Sequence, residues 1–211
     1  VYRALMRGRA VRANPFHPAM LAWPQASSLG KTKAISAKVA KAMISAAAAE
    51  DTRRGARDAA LMQLLYDTGL RRSSVAGILR SKYVDGCITT IVKGDKEVEL
   101  ELPKASVTAI DRYLERAPAS PYLFPGKHGH IELSSINKIL KARGKAAGAA
   151  HVHPHQFRAA FVTAAYDAEL PEYEIQAAVH HADARTTRRY DRKARGRKVA
   201  TRLADLRKDD E

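Results

Sequence analysis

The stretch from His151 to Arg192 gathers side chains suited to chemistry. His155-Gln156-Phe157-Arg158 sets an imidazole and a guanidinium three residues apart, where a helix would let both converge on one ligand. His181 and Tyr190 follow, and Arg188, Arg189 and Arg192 surround the tyrosine in sequence. A second arginine, Arg71, lies far upstream in Tyr66-Asp67-Thr68-Gly69-Leu70-Arg71-Arg72-Ser73. Two guanidiniums, two imidazoles and a phenol are the parts needed to attack a phosphodiester without a metal. Such cleavage is mostly positioning plus stabilisation of charge on the non-bridging oxygens. Arginine suits that work, because its planar, permanently charged guanidinium binds phosphate through two hydrogen bonds. Tyr190 is the candidate nucleophile. A phenol with a pKa of about 10 must pass its proton to a base or sit among cations that favour phenolate. His181 can donate to a non-bridging oxygen, and His155 can move a proton or donate. Lys93, beside the Gly94 turn, can reach the scissile phosphate from a hairpin tip. Tyr166 and Tyr173 are the reserve nucleophiles.

Taken singly, each residue has an ordinary explanation: a surface arginine, an amphipathic tyrosine, a satisfied histidine, a solvated lysine. A competing constellation is His151-x-His153-x-His155, with His180 and His181 later. Closely spaced histidines are a metal-ligand pattern. A metal hydrolase usually needs carboxylate ligands too, and Asp183 is the only close candidate.

Helices must position these groups. Ser36 precedes Val39, Ala40, Met43, Ile44 and Ala47 on one helical face. A second helix is expected from Thr52 to Asp67, with Ala59, Leu61, Met62, Leu64 and Leu65 inward and Gly69 as its stop. Arg72 to Leu79 reads as a further short helix. The period then changes: Ile88 to Val92 is β-branched, Gly94-Asp95 supplies a turn, and Val98 to Leu102 alternates strictly, which predicts a hairpin with one wet face. Lys104 to Glu115 returns to helical spacing, and Pro121 to Pro125 reads as extended. Ser134 or Ser135 is the expected cap of a helix carrying Ile136, Ile139 and Leu140. The remainder reads as helices separated at Pro154, Pro171 and Ala182-Asp183. The fold class is α+β and mainly α-helical, with a small antiparallel β-sheet inserted among helices.

Charge narrows the partner. Across 211 residues, 37 basic against 22 acidic side chains give a net charge of +15, and no acidic residue precedes Glu50. Such a field favours a polyanion, of which nucleic acid is the commonest. The single cysteine, Cys87, excludes an internal disulfide and a cysteine zinc site. No apolar run approaches the roughly 20 residues that span a bilayer, so no membrane partner is expected. Val1 in place of a start methionine reads as a chain cut from a longer one.

The joint pattern resembles the tyrosine site-specific recombinase, or phage integrase, family. Thr68-Gly69-Leu70-Arg71-x-Ser73 resembles the family's first-arginine motif, and Lys93-Gly94-Asp95-Lys96-Glu97 its hairpin lysine motif. His155-x-x-Arg158 resembles the second-arginine motif, and His181 through Thr186-Thr187 to Tyr190 the final His-to-Tyr motif. The resemblance runs over about residues 34–192, as a catalytic domain, with 1–33 as the end of a core-binding domain plus linker and 193–211 as a basic tail helix. Three positions depart from the pattern. Ser74 stands where an acid is usual, so a supporting ion pair is expected to be missing. His180 replaces a glycine, and Ala159 replaces a frequent histidine.

The resemblance implies that Tyr190 attacks a DNA phosphate, forming a 3′-phosphotyrosyl link and releasing a 5′-hydroxyl. A partner strand's 5′-hydroxyl then reverses the step, with no cofactor and no metal. Arg71, Arg158 and His181 would hold the phosphate, Lys93 would protonate the leaving oxygen, and His155 would assist proton transfer. Double-stranded DNA is the implied partner, with self-association into a tetrameric synapse through the tail, where Val199, Leu203 and Leu206 share helical spacing. Integration or excision of a mobile element, in a bacterial or phage setting at the nucleoid, is the implied role. A type IB topoisomerase-like relaxer and a non-catalytic DNA-binding protein on the same scaffold are the alternatives.

Overall fold

The computed structural model describes residues 33–92, 94–127 and 129–179, all within the unit Thr32–Glu211. Helix α1, Ala37–Ala49, starts where Ser36 Oγ accepts from Val39 N–H at 3.3 Å. It buries Ala40, Met43, Ile44 and Ala47 of the expected stripe, while Val39 is partly buried beside them. Helix α2, Arg53–Thr68, is capped by Thr52, whose Oγ1 accepts from Gly55 N–H at 3.0 Å. It is the central helix: α1, α4 and α6 pack on it, and Leu61, Met62, Leu64 and Leu65 are wholly buried. Gly69 ends it in the left-handed region at φ 60°.

Helix α3, Arg72–Ala76, is shorter than the expected Arg72–Leu79. Gly77 stops it, and the chain goes on to a 3₁₀ turn at Arg80–Lys82. Strands β1 (Tyr83–Val84), β2 (Cys87–Val92) and β3 (Lys96–Glu101) form one antiparallel sheet in that order. Val92 pairs with Lys96 and Cys87 with Glu101, so the hairpin sits in the expected place. On β2, Ile88, Thr90 and Val92 are buried while Ile91 is 60% exposed. Thr90 Oγ1 donates to the Ser74 carbonyl at 2.9 Å and fastens the sheet to α3.

Helix α4, Lys104–Leu114, buries Ile110 and Tyr113, and Tyr113 stacks on Phe124 at 5.6 Å. The piece after Pro121 is extended, as expected, but part of it pairs. Leu79 bridges to Tyr122, and β4 (Pro125–Gly126) pairs with β5 (Gly129–His130). Helix α5, Leu133–Ala146, has Glu132 at its N-cap; neither Ser134 nor Ser135 caps it. Ser134 Oγ instead donates to Glu132 Oε2 at 3.0 Å. Helix α6, Pro154–Asp167, opens on a proline, whose missing N–H costs nothing in the first turn. Helix α7, Glu172–Ala178, follows Pro171. Val162, Ala165 and Tyr166 of α6 pack on Ile175 and Val179. The expected break at Ala182-Asp183 lies outside the described residues.

Candidate active site

Arg71 is the N-cap residue of α3, held in extended backbone by the turn that Gly69 begins. Its carbonyl accepts from Val75 N–H at 3.1 Å, and its side chain is half-buried. It lines a cleft of about 410 Å³ with Ser73, Gly77, Val92, Gly94 and Asp95. The first-arginine turn and the sequence neighbours of Lys93 therefore face one space. Lys93 itself lies outside the described residues.

Arg158 is in the second turn of α6 and is only 5% exposed. Its Nη1 donates to the Gly69 carbonyl at 2.6 Å, and its Nη2 donates to the Val179 carbonyl. One guanidinium thus ties α6 both to the turn carrying Arg71 and to the residue that follows α7. Phe161, one turn on, closes the same joint: a Cβ on Gly69 would stand 2.8 Å from its ring. A buried arginine needs such partners, because an unpaired buried charge is costly.

His155 reaches solvent one turn before Arg158. Partial burial of its imidazole, then the fields of His153, Arg158, Arg72 and Arg71, hold its pKa below the ordinary histidine value. Arg71, far away in sequence, and Arg158 are thus both near enough for their charges to reach one imidazole. The unprotonated imidazole favoured there can accept a proton. His181 and Tyr190 lie outside the described residues. The reserve tyrosines are poorly placed to act. Tyr166 is 3% exposed. Tyr173 donates to Glu174 Oε1 at 3.0 Å, and that bond raises its pKa.

Two contributors were not singled out for this site. Arg72 adds to the field on His155, and its signal was simply its place next to Arg71. His153, a member of the triple-histidine run, adds to the same field. Among the described residues no three His, Cys, Asp or Glu side chains are placed to hold an ion, and His180 and His181, the other histidines of that pattern, lie outside them. Ser74, which stands where an acid is usual, is buried and offers its carbonyl to Thr90.

The sequence pattern of the phage integrase family matches residues 33–197. The chain belongs to the phage integrase family. It is 35% identical over 153 residues to tyrosine recombinase XerD of Neisseria meningitidis serogroup B, covering 66% of this chain and 52% of that protein. The crystal structure of XerA recombinase superposes with a TM-score of 0.66 at 25% identity, covering 81% of this chain and 65% of that one. XerH site-specific recombinase bound to palindromic difH substrate, in a post-cleavage complex, gives a TM-score of 0.69 at 19% identity, covering 86% of this chain and 56% of that one. This phage integrase chain spans about half the length of the curated relatives it matches. Among its described residues no helix is long and apolar enough to cross a membrane.

Proposed function

We propose that this chain carries the catalytic part of a site-specific DNA recombinase, which cleaves and rejoins strands through a 3′-phosphotyrosyl intermediate. The observation that carries the reading is the tie from Arg158 to the Arg71 turn, with His155 beside it, in a chain of this family. The relatives are tyrosine recombinases by name, and XerH is bound to palindromic difH substrate in a post-cleavage complex.

In the proposed step Tyr190 Oη forms a bond to phosphorus as the bond to the 5′ oxygen breaks. The phenol proton passes to His155, and Lys93 gives a proton to the leaving oxygen. Arg71, Arg158 and His181 balance the charge on the non-bridging oxygens. The attack of a partner strand's 5′-hydroxyl runs the same transfers backwards, so no high-energy cofactor is consumed. Residues 1–33 are proposed as the end of a preceding DNA-binding domain and its linker. The basic 193–211 segment, through Val199, Leu203 and Leu206, is proposed to join subunits on double-stranded DNA in a tetrameric synapse. Action on DNA places the protein at the nucleoid.

A suicide half-site substrate tests this. A denaturation-resistant protein–DNA adduct is expected, and Tyr190→Phe should bind DNA yet form none. Adduct from the Phe variant would move the nucleophile elsewhere. Relaxation of supercoiled DNA of arbitrary sequence, without strand exchange, would replace recombinase by topoisomerase.

A further inference from the structure

The His151-Val152-His153-Pro154-His155 run is the sequence feature that the proposed chemistry uses only in part. Its three histidines are held very differently. His151 sits in a left-handed turn at φ 57°, exposed, before α6 begins. His153 is the N-cap residue of α6, with extended backbone at φ −144° and ψ 162°. Its N–H donates to Gln156 Oε1 at 3.0 Å, and its carbonyl accepts from Gln156 N–H at 3.0 Å. Gln156 is anchored in turn, because its carbonyl accepts from Ile35 N–H at 3.2 Å. The backbone of His153 is therefore fixed from both sides, so its side chain projects from a set place. Its ring lies 6.3 Å from that of His155, at 69° to it.

We propose that His153 is a positioning residue for His155, its ring set edge-on against that imidazole at the start of α6. The proposal rests on the recombinase reading, in which His155 moves a proton. Among the described residues, the charged or titratable groups whose fields reach His155 are His153 and Arg158 from α6 and Arg72 and Arg71 from the α3 turn. After partial burial, His153 comes first among them in lowering the His155 pKa. Pro154 between the two histidines strengthens the case. Its fixed φ and missing N–H lock the first helical position, so the cap has little freedom to swing away.

The sign follows from the chemistry. A depressed pKa keeps His155 unprotonated, and able to accept the phenol proton, at pH values where an ordinary histidine has charged. Removing the His153 ring should let the His155 titration rise towards the ordinary value, and the acid limb of the cleavage profile should rise with it. Loss of a helix cap alone would lower stability without moving either.

His153→Asn separates the two, because asparagine is among the best N-cap residues and lacks the imidazole. His151→Asn is the control, since asparagine tolerates the left-handed backbone there. Two readouts are taken on the full chain: NMR titration of the His155 ring, assigned with His155→Gln, and adduct formation on a suicide half-site against pH. In His153→Asn the His155 midpoint and the acid limb are both expected to move to higher pH, with the thermal midpoint retained. His151→Asn should move neither. An unmoved His155 midpoint in His153→Asn overturns the proposal, whatever the adduct assay gives. If the wild type forms no adduct, the recombinase reading fails; a moved titration midpoint would still support the hold of His153 on His155.

Discussion

Arg158 Nη1 donates to the carbonyl of Gly69 at 2.6 Å, across 89 residues of chain. A residue proposed to bind phosphate is thus also the clamp on the turn that presents Arg71. Stability and catalysis should therefore separate differently at the two arginines. Arg158→Lys cannot satisfy both Gly69 and Val179, since a single ammonium lacks the planar fork. It should cost about 2–4 kcal/mol in denaturant unfolding. Arg71→Ala should stay within about 0.5 kcal/mol of wild type, as a cleft-lining side chain. Both should lose the covalent adduct. Equal stability losses at the two positions would remove the clamp from the account.

Gly69 meets two demands, a left-handed backbone and the approach of Phe161. Gly69→Ala should cost about 1–3 kcal/mol for the backbone alone, plus the overlap with the ring. Phe161→Ala in the same chain removes the ring atoms at 2.8 and 2.9 Å and leaves the backbone term with a Cβ contact at 3.1 Å. The double variant should therefore be more stable than the two single losses added together, by about 0.5–3 kcal/mol. Additive losses in urea unfolding would show that the ring does not press on this turn.

Lys93 is proposed as the general acid because its neighbours Val92, Gly94 and Asp95 line the cleft with Arg71. A 5′-alkoxide is a poor leaving group, so Lys93→Ala should slow cleavage roughly 10²–10⁴-fold. A sulfur at the bridging 5′ position leaves as a thiolate and needs no proton. Lys93→Ala should then approach the wild-type rate, while Arg71→Ala and Arg158→Ala stay slow on both substrates. Rescue of Lys96→Ala instead would move the acid three residues on.

Away from the cleft, Arg143 on α5 joins Glu50 and the buried Asp58. The hydrogen bond from Arg143 is the first cause holding the Glu50 carboxyl below its ordinary value of 4.5. A depressed carboxylate pKa gives stability that is present above the ordinary value and lost as pH falls through the folded one. Wild type should therefore melt above Glu50→Gln at neutral pH, and the two curves should converge in strong acid. A constant gap across the acid range would mean that the ion pair contributes nothing.

Local chemistry made much of this protein legible in its sequence. The apolar stripe of α1, the run of α2 to its glycine stop and the alternation of β3 all follow from periodicity, caps and turn residues a few positions apart. The motif residues Arg71, His155 and Arg158 could be named for the same reason: their neighbours in sequence carry the pattern. Tertiary structure decided what depends on distant partners. β4 and β5, two residues each, exist only because they pair with one another. Glu132 takes the N-cap of α5 without a side-chain cap bond, although two serines, better capping residues, follow it. Nothing within a few residues of Arg158 says that its guanidinium will be buried and shared between Gly69 and Val179. That arrangement arises when α6 packs on α2, because a buried charge takes the partners that packing brings within reach.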